Sequence, residues 1–387
     1  MGRCCPAVLG TIYKITSGRI IACCIHSLQV QLNEMNVLII EVGGSHIECV
    51  HSMVHYLHMK NNSVFVACNK KLVASVAERE KIVALLELPD GPTNKQHLRI
   101  AYQLRKFILK HKIQAVVFNT SEITIVRNLL FLLPWLNYTG IVHNAKRLEK
   151  SFTFTKIISR KMKKFFVLGD YLISKLHPHH QFQIESFYPI YFPAVTTINP
   201  IKPPNECWIT IPGEVFTTRR DYLALINEVE HSKQLAANIK FILLGYNHLD
   251  EETNNRLNNS PQLKKHFVTF DHYLSYDLFH SYIQQSDYIL PLLKADDDGF
   301  YGSGRISGSF NLGIGYQLPF LLPDSYKENQ DIAPYSRYYS NMQHLLAIIE
   351  QTVQDQTMKK QLAETYDSGK FSNELLMADK VNDFITS

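Results

Sequence analysis

From Met35 onward, short apolar runs of strand length alternate with amphipathic stretches of helical period. Asn36 to Val42 reads Asn-Val-Leu-Ile-Ile-Glu-Val, followed by Gly43-Gly44-Ser45-His46 and an apolar helical run to about Met59. Ser63 to Cys68, Ala115 to Asn119, Gly140 to His143 and Phe165 to Leu168 read as further strands. Between them, residues 95–112 place Leu98, Ala101, Tyr102, Leu104, Arg105, Ile108 and Leu109 at i, i+3, i+4 spacing, which predicts a helix lying on the core. Ser121 reads as a helix N-cap with Glu122 in the first turn. Apolar strands alternating with helices imply a parallel sheet covered on both faces.

The alternation breaks once. Between Pro193 and Glu206 lie Pro193, Pro200, Pro203 and Pro204 in a stretch poor in core residues, the best domain boundary in the chain. It then restarts: strands at Trp208–Pro212, Lys240–Leu244, His266–Phe270, Asp287–Leu292 and Pro319–Leu322, with helices at Asp221–His231, Leu274–Ser286 and Ser309–Tyr316. Helices at about 341–364 and 373–385 close the chain. The pattern predicts an α/β protein of two Rossmann-like domains, residues 35–195 and 207–370, facing across a ligand cleft. Residues 196–206 are the linker and 371–387 a C-terminal helix. Residues 1–34 look unlike the rest, and Met35 reads as the functional start after a dispensable extension.

With 45% hydrophobic and 19% charged residues, the composition is globular, and the net charge of +5 is too balanced for a nucleic-acid binder. That balance hides an asymmetry, because residues 35–200 carry net +11 and residues 201–387 net −8. No apolar run is long enough for a transmembrane helix. The seven cysteines are odd in number and lack zinc or CxxC spacing, which fits a reduced, cytoplasmic protein.

Several strand ends carry candidate chemistry. Gly43-Gly44 joins a strand to a helix N-terminus, where backbone can approach an anionic ligand; a plain tight turn reads equally well. His46 follows, placed to reach the cleft as a base or hydrogen-bond donor. His143-Asn144 sits at a strand's C-terminal end, as a ligand contact or a polar turn. Gly213-Glu214 precedes Arg219-Arg220, two cations that could clamp a diphosphate without a metal or could simply begin an exposed helix. Residues 296–319 follow a strand, are rich in Gly and Ser, and lead into a helix. Free N–H groups and a helix dipole there suit a phosphate, with Arg305 adding a cation and Ser307, Gly308 and Ser309 at the helix start. Asp296-Asp297-Asp298 could ligate a divalent ion, but three adjacent carboxylates cannot all face one, and no metal is expected. The basic, partly apolar stretch Lys156–Phe166 reads as a lipid-docking patch or as a solvated helix face.

The second half resembles a GT-B glycosyltransferase, in particular the retaining family 4 type. Asp287-Tyr-Ile-Leu-Pro291, Asp298-Gly-Phe-Tyr-Gly302 and Leu318-Pro319-Phe-Leu are similar to that family's strand–proline, acidic-Gly-Phe-Gly and Gly-x-Pro-Val motifs. Gly213 with Arg219 and Arg220 is similar to its diphosphate clamp, and Gly43-Gly44 and His143-Asn144 to its acceptor-side loops. The donor-site motif diverges: Ser307-Gly308-Ser309 stands where the family shows spaced glutamates, leaving Asp298 the nearest acidic counterpart. Gly44-Ser45-His46-Ile47 also resembles the loop of inverting GT-B enzymes whose histidine is the base, so the stereochemical outcome stays open.

The resemblance implies a metal-independent hexosyltransferase with no cofactor. A nucleotide diphosphate-sugar donor would be held on the second domain by Gly213, Glu214, Asp298, Arg305, Ser307, Gly308 and Ser309, with Gly43 and Gly44 contributing. Arg219, Arg220 and His46 would be catalytic, and His143 and Asn144 would meet a glycan or lipid-linked acceptor on the first domain. Surface polysaccharide assembly, with peripheral contact at an anionic inner membrane face and no nucleic acid, follows as the expected setting. A nucleotide-sugar 2-epimerase of the same fold and a non-catalytic sugar-nucleotide binding subunit are the alternatives.

Overall fold

The computed structural model describes residues 34–90, 94–177, 181–196, 199–233, 235–294, 301, 304–354, 361 and 364–387. The N-terminal extension, apart from Glu34, and Asp298 therefore lie outside the described residues.

Two all-parallel sheets carry the chain. The first has strands β1 (Asn36–Glu41), β2 (Ser63–Asn69), β3 (Ile82–Leu88), β4 (Ala115–Phe118), β5 (Asn137–Val142), β6 (Lys164–Val167) and β7 (Gln183–Ser186), in the spatial order β3-β2-β1-β4-β5-β6-β7. The second has β8 (Cys207–Pro212), β9 (Ile239–Tyr246), β10 (Phe267–Phe270), β11 (Tyr288–Ile289), β12 (Phe320–Pro323) and β13 (Ser336–Tyr339), in the order β10-β9-β8-β11-β12-β13. Their apolar runs are buried on both faces, as helices above and below a parallel sheet require. In each sheet the first strand in sequence lies between a strand reached to one side and a strand reached to the other. Such a switch of direction opens a crevice at the strands' carboxyl ends, beside β1 and β4 in one sheet and β8 and β11 in the other.

Residues 199–202 of the proline-rich stretch are laid along the second sheet's helix Tyr276–Gln285. Asn199 N–H donates to Ser281 Oγ (3.3 Å), Lys202 N–H to Gln285 Oε1 (2.8 Å), and Gln285 Nε2 to the Pro200 carbonyl (2.8 Å). The last helix, Glu374–Thr386, returns to the first sheet. Ala378, Val381 and Ile385 join that core, Asn62 donates to Asn382 Oδ1 (2.8 Å), and Asn137 donates to the Ile385 carbonyl (2.6 Å).

Three expectations change. Ser121 is no N-cap: its hydroxyl donates to the Ile141 carbonyl at 2.8 Å, and the helix begins at Thr124. Glu122 is thereby released from a helix turn to face residue 144. The helix Asn94–Lys110 does form, but it does not bury the whole expected stripe. Ala101, Leu104 and Ile108 enter the core, whereas Leu98, Tyr102 and Leu109 stand exposed. Finally β3, β7 and β13, all at sheet edges, went unassigned: β7 and β13 are short and carry polar residues, and the apolar run that opens β3 is only partly buried.

Candidate active site

The two crevices open onto one cavity of about 430 Å3. Ile47, Glu48 and His51 line it from the first sheet's side, and Gly213, Glu214, Arg219, Arg220, Ser307, Gly308 and Ser309 from the second. Of the residues expected from sequence, the second-sheet set thus converges. His46, Gly43, Gly44, His143, Asn144 and Arg305 gather beside the cavity rather than on its wall.

On the second sheet, β8 is followed by Gly213 at φ 103°, a backbone conformation that a side chain would strain. A Cβ there would also lie 2.9 Å from Arg220 Nη2, so glycine lets the guanidinium lie against the turn. Arg220 is 9% exposed and its Nη1 donates to Tyr222 OH at 3.4 Å. Glu214 is exposed and accepts from Tyr273 OH at 3.0 Å. Opposite the arginines, the helix Gly308–Gly315 starts one residue earlier than expected, with Ser307 as its cap. Ser307 Oγ accepts from Ser309 N–H at 3.3 Å, and Gly308 has open space where a side chain would stand. The wall therefore presents fixed positive charge and a helix N-terminus to the same volume.

The first sheet contributes a proton-active cluster. His46, in the left-handed conformation at φ 61°, precedes the helix Ile47–Met59 and stacks on His143 with ring centroids 3.8 Å apart. His143 Nε2 donates to the Asn119 carbonyl at 2.7 Å, which leaves Nδ1 unprotonated and without a hydrogen-bond partner among the described residues. Burial, then the neighbouring His46, pushes His143 down to about 4. His46 moves the other way. Burial lowers it, but the hydrogen bond to Glu48 (Nδ1 to Oε1, 3.3 Å) and the charges of Glu48, Glu41 and Glu122 outweigh burial and raise it. Glu48 responds in kind: His46 holds it below the usual carboxylate range against burial.

Two further carboxyls frame the cluster. Glu41, fully buried, accepts from Asn119 Nδ2 (2.7 Å), Thr120 Oγ1 (2.6 Å) and Gly43 N–H, yet burial still raises its pKa. Burial also raises Glu122, against Arg147, the Asn144 N–H at 3.1 Å and Arg305. The segment carrying Arg305 closes on this side, since Gly304 accepts from Ala145 N–H at 2.7 Å and leaves no room for a side chain against Asn144 and Lys146.

Sequence reasoning passed over Glu41, Glu48, His51 and His280. An acid inside the apolar run Ile-Ile-Glu-Val was the one readable signal. His51 and His280 are buried, the latter lowered to about 4 by burial, and His280 Nδ1 meets Tyr316 OH at 2.8 Å. Among the described residues no cluster of His, Cys, Asp or Glu has metal-site geometry.

No family model matches the chain, and no curated protein matches it in sequence. Solved structures do. A glycosyltransferase from Rickettsia africae superposes with a TM-score of 0.62 at 13% identity, over 92% of this chain and 96% of the other. A UDP-GlcNAc 2-epimerase from Neisseria meningitidis, bound to UDP-GlcNAc, gives 0.59 at 12% identity over 91% and 100%. The fold is GT-B. A lipopolysaccharide outer core galactosyltransferase gives 0.56 at 12% identity over 91% and 99%. The GT-B fold hosts both transferases and epimerases here, so it fixes the two-domain scaffold and leaves the chemistry to the site.

Proposed function

We propose that the protein is a glycosyltransferase that moves a sugar from a nucleotide diphosphate-sugar to an acceptor hydroxyl, in glycan or surface polysaccharide assembly. The observation that carries this reading is Arg220 packed under Gly213 on the same cavity as the capped start of the helix Gly308–Gly315. When the bond between the sugar's anomeric carbon and the diphosphate oxygen breaks, negative charge accumulates on the diphosphate. Arg219, Arg220 and the Gly308 amide at the helix start would take it up, work that needs no metal. The acceptor oxygen forms its bond to the anomeric carbon, and its proton passes to His46, held for that role by Glu48. Because the relatives in structure include a protein bound to UDP-GlcNAc, a uridine diphosphate-sugar is the first donor to try.

One observation favours a second reading. Glu48 lines the cavity as a carboxylate, and an epimerase needs such a group to remove and return a proton on the sugar itself. The test is a donor screen by thermal shift, followed by incubation of the best donor in deuterated water with and without glycan acceptors. Transfer to an acceptor with no deuterium in recovered donor supports the transferase. Deuterium at the sugar carbon without acceptor supports the epimerase and overturns the first reading.

A further inference from the structure

The outer helical layer of the first sheet is apolar where it meets solvent. Leu98, Tyr102 and Leu109 form an exposed stripe on the helix Asn94–Lys110, on a different side from its core residues. The helix Thr124–Leu132 packs beside it and ends in exposed Phe131, with exposed Trp135 just beyond. Arg127 of that helix shares a groove with Thr153 and Phe154, where Phe152 also stands exposed. Six large apolar side chains on one layer exceed the scattered singles of an ordinary surface.

The charge around them has one sign. Residues 94–177 hold 16 Lys and Arg against three acids, Glu122, Glu149 and Asp170. The Glu122 and Glu149 side chains are only 13% and 16% exposed, and the exposed Asp170 is paired with Lys370 and Lys380, which leaves the outward face to cations such as Arg99, Lys106, Lys156 and Arg160.

The geometry points to this layer as a docking surface for an anionic lipid bilayer. Aromatic and aliphatic tips enter the headgroup region while lysine and arginine stems stretch to the phosphates, each part useless without the other. A second copy docked face to face across a two-fold axis is a poor occupant, since it would bring cationic face to cationic face. No helix among the described residues is long and apolar enough to cross a membrane, so the contact is interfacial. It is independent of the reaction in the cleft.

Tryptophan fluorescence tests it directly. The chain has two tryptophans; Trp208 is 4% exposed and Trp135 62%, so a change of solvent on docking reports Trp135. The full chain is mixed with phosphatidylcholine vesicles with and without phosphatidylglycerol, and binding is read by co-sedimentation as well. A blue shift and co-sedimentation with the anionic vesicles alone, weakened by salt, support the surface. Trp135→Ala with Phe131→Ala and Phe152→Ala should reduce partitioning at least about tenfold, at about 0.8 kcal/mol per buried methylene. Lys156→Glu with Arg160→Glu should reduce it by about fivefold or more per charge. All five side chains are exposed, so melting temperatures should hold. Three outcomes overturn the proposal: no vesicle binding at low salt, equal binding to neutral vesicles, or binding of a single-stranded RNA oligonucleotide that these variants abolish while vesicles fail to bind.

Discussion

The two walls of the cleft solve different electrostatic problems. The second sheet presents Arg219, Arg220 and a helix N-terminus, two guanidinium groups and a set of backbone dipoles on one volume. The first carries Glu48 on the cavity and, beside or behind it, His46, His143, Glu41 and Glu122, all shifted by burial and by neighbouring charges. One wall can stabilise a permanent anion, and the other can take or give a proton. A reaction that releases a diphosphate while deprotonating a hydroxyl needs both.

The sharpest way to break this division is Arg220→Ala. It removes the buried cation beside Gly213 and should lower turnover by about 10²–10³-fold, the usual scale for losing one preorganised stabiliser of a developing anion. Arg220→Lys should recover part of the loss, because it restores charge without the planar fork. Steady-state kinetics with the donor found by thermal shift measures both; a variant with unchanged turnover would show that the second wall does not serve the diphosphate.

Glu48→Gln tests the other wall. A base must be unprotonated, so with His46 raised above about 6.5, activity should climb with pH through that raised value. Glu48→Gln removes the main group that raises His46. The acid limb of the kcat/KM profile should then move to lower pH, while the maximal rate falls by about tenfold to a hundredfold. An acid limb that stays in place would detach Glu48 from His46.

How far these roles could be read beforehand follows the same division. The second wall was legible because its pieces are local. A strand, a glycine and two arginines lie within Cys207–Arg220, and the helix start Ser307-Gly308-Ser309 is contiguous. The first wall was not, because its shifts arise from contacts across the sheet. Glu41 meets Asn119 and Thr120 through the β1–β4 pairing, and His46 meets His143 only once β5 is in place. Likewise the helix Asn94–Lys110 shows the right period, but period alone does not say whether Leu98, Tyr102 and Leu109 face core or solvent. A stripe wider than one core-facing band was the available hint.

Acid should also weaken the fold through buried histidines on both sides of the cleft. His280 is 6% exposed and its pKa lies at about 4, so the folded protein keeps it neutral where the unfolded chain, at about 6.5, takes a proton. A depressed histidine supports the fold fully above the unfolded value and loses that support as pH falls toward the folded one. Between pH 7 and 5 this group alone should cost about 2 kcal/mol, and buried His51 adds in the same direction. Urea melts across that range check it, and His280→Phe should flatten the slope. A slope unchanged by the substitution would mean that other groups carry the acid sensitivity.

The smallest effect separates structure from chemistry within the second wall. Ser307 is 1% exposed, and its hydroxyl accepts from Ser309 N–H, so it is committed to the cap of the helix Gly308–Gly315. Ser307→Ala should cost about 1 kcal/mol of stability, the ordinary value of an N-cap. Because the helix amides and dipole, rather than this hydroxyl, face the anion, donor affinity should change by less than about threefold, roughly 0.6 kcal/mol. Thermal melts and donor titration on the same variant read the two quantities separately. A large loss of affinity with little loss of stability would mean that the hydroxyl leaves its cap to hold the diphosphate, and the helix start would then be a ligand group rather than a fixed source of field.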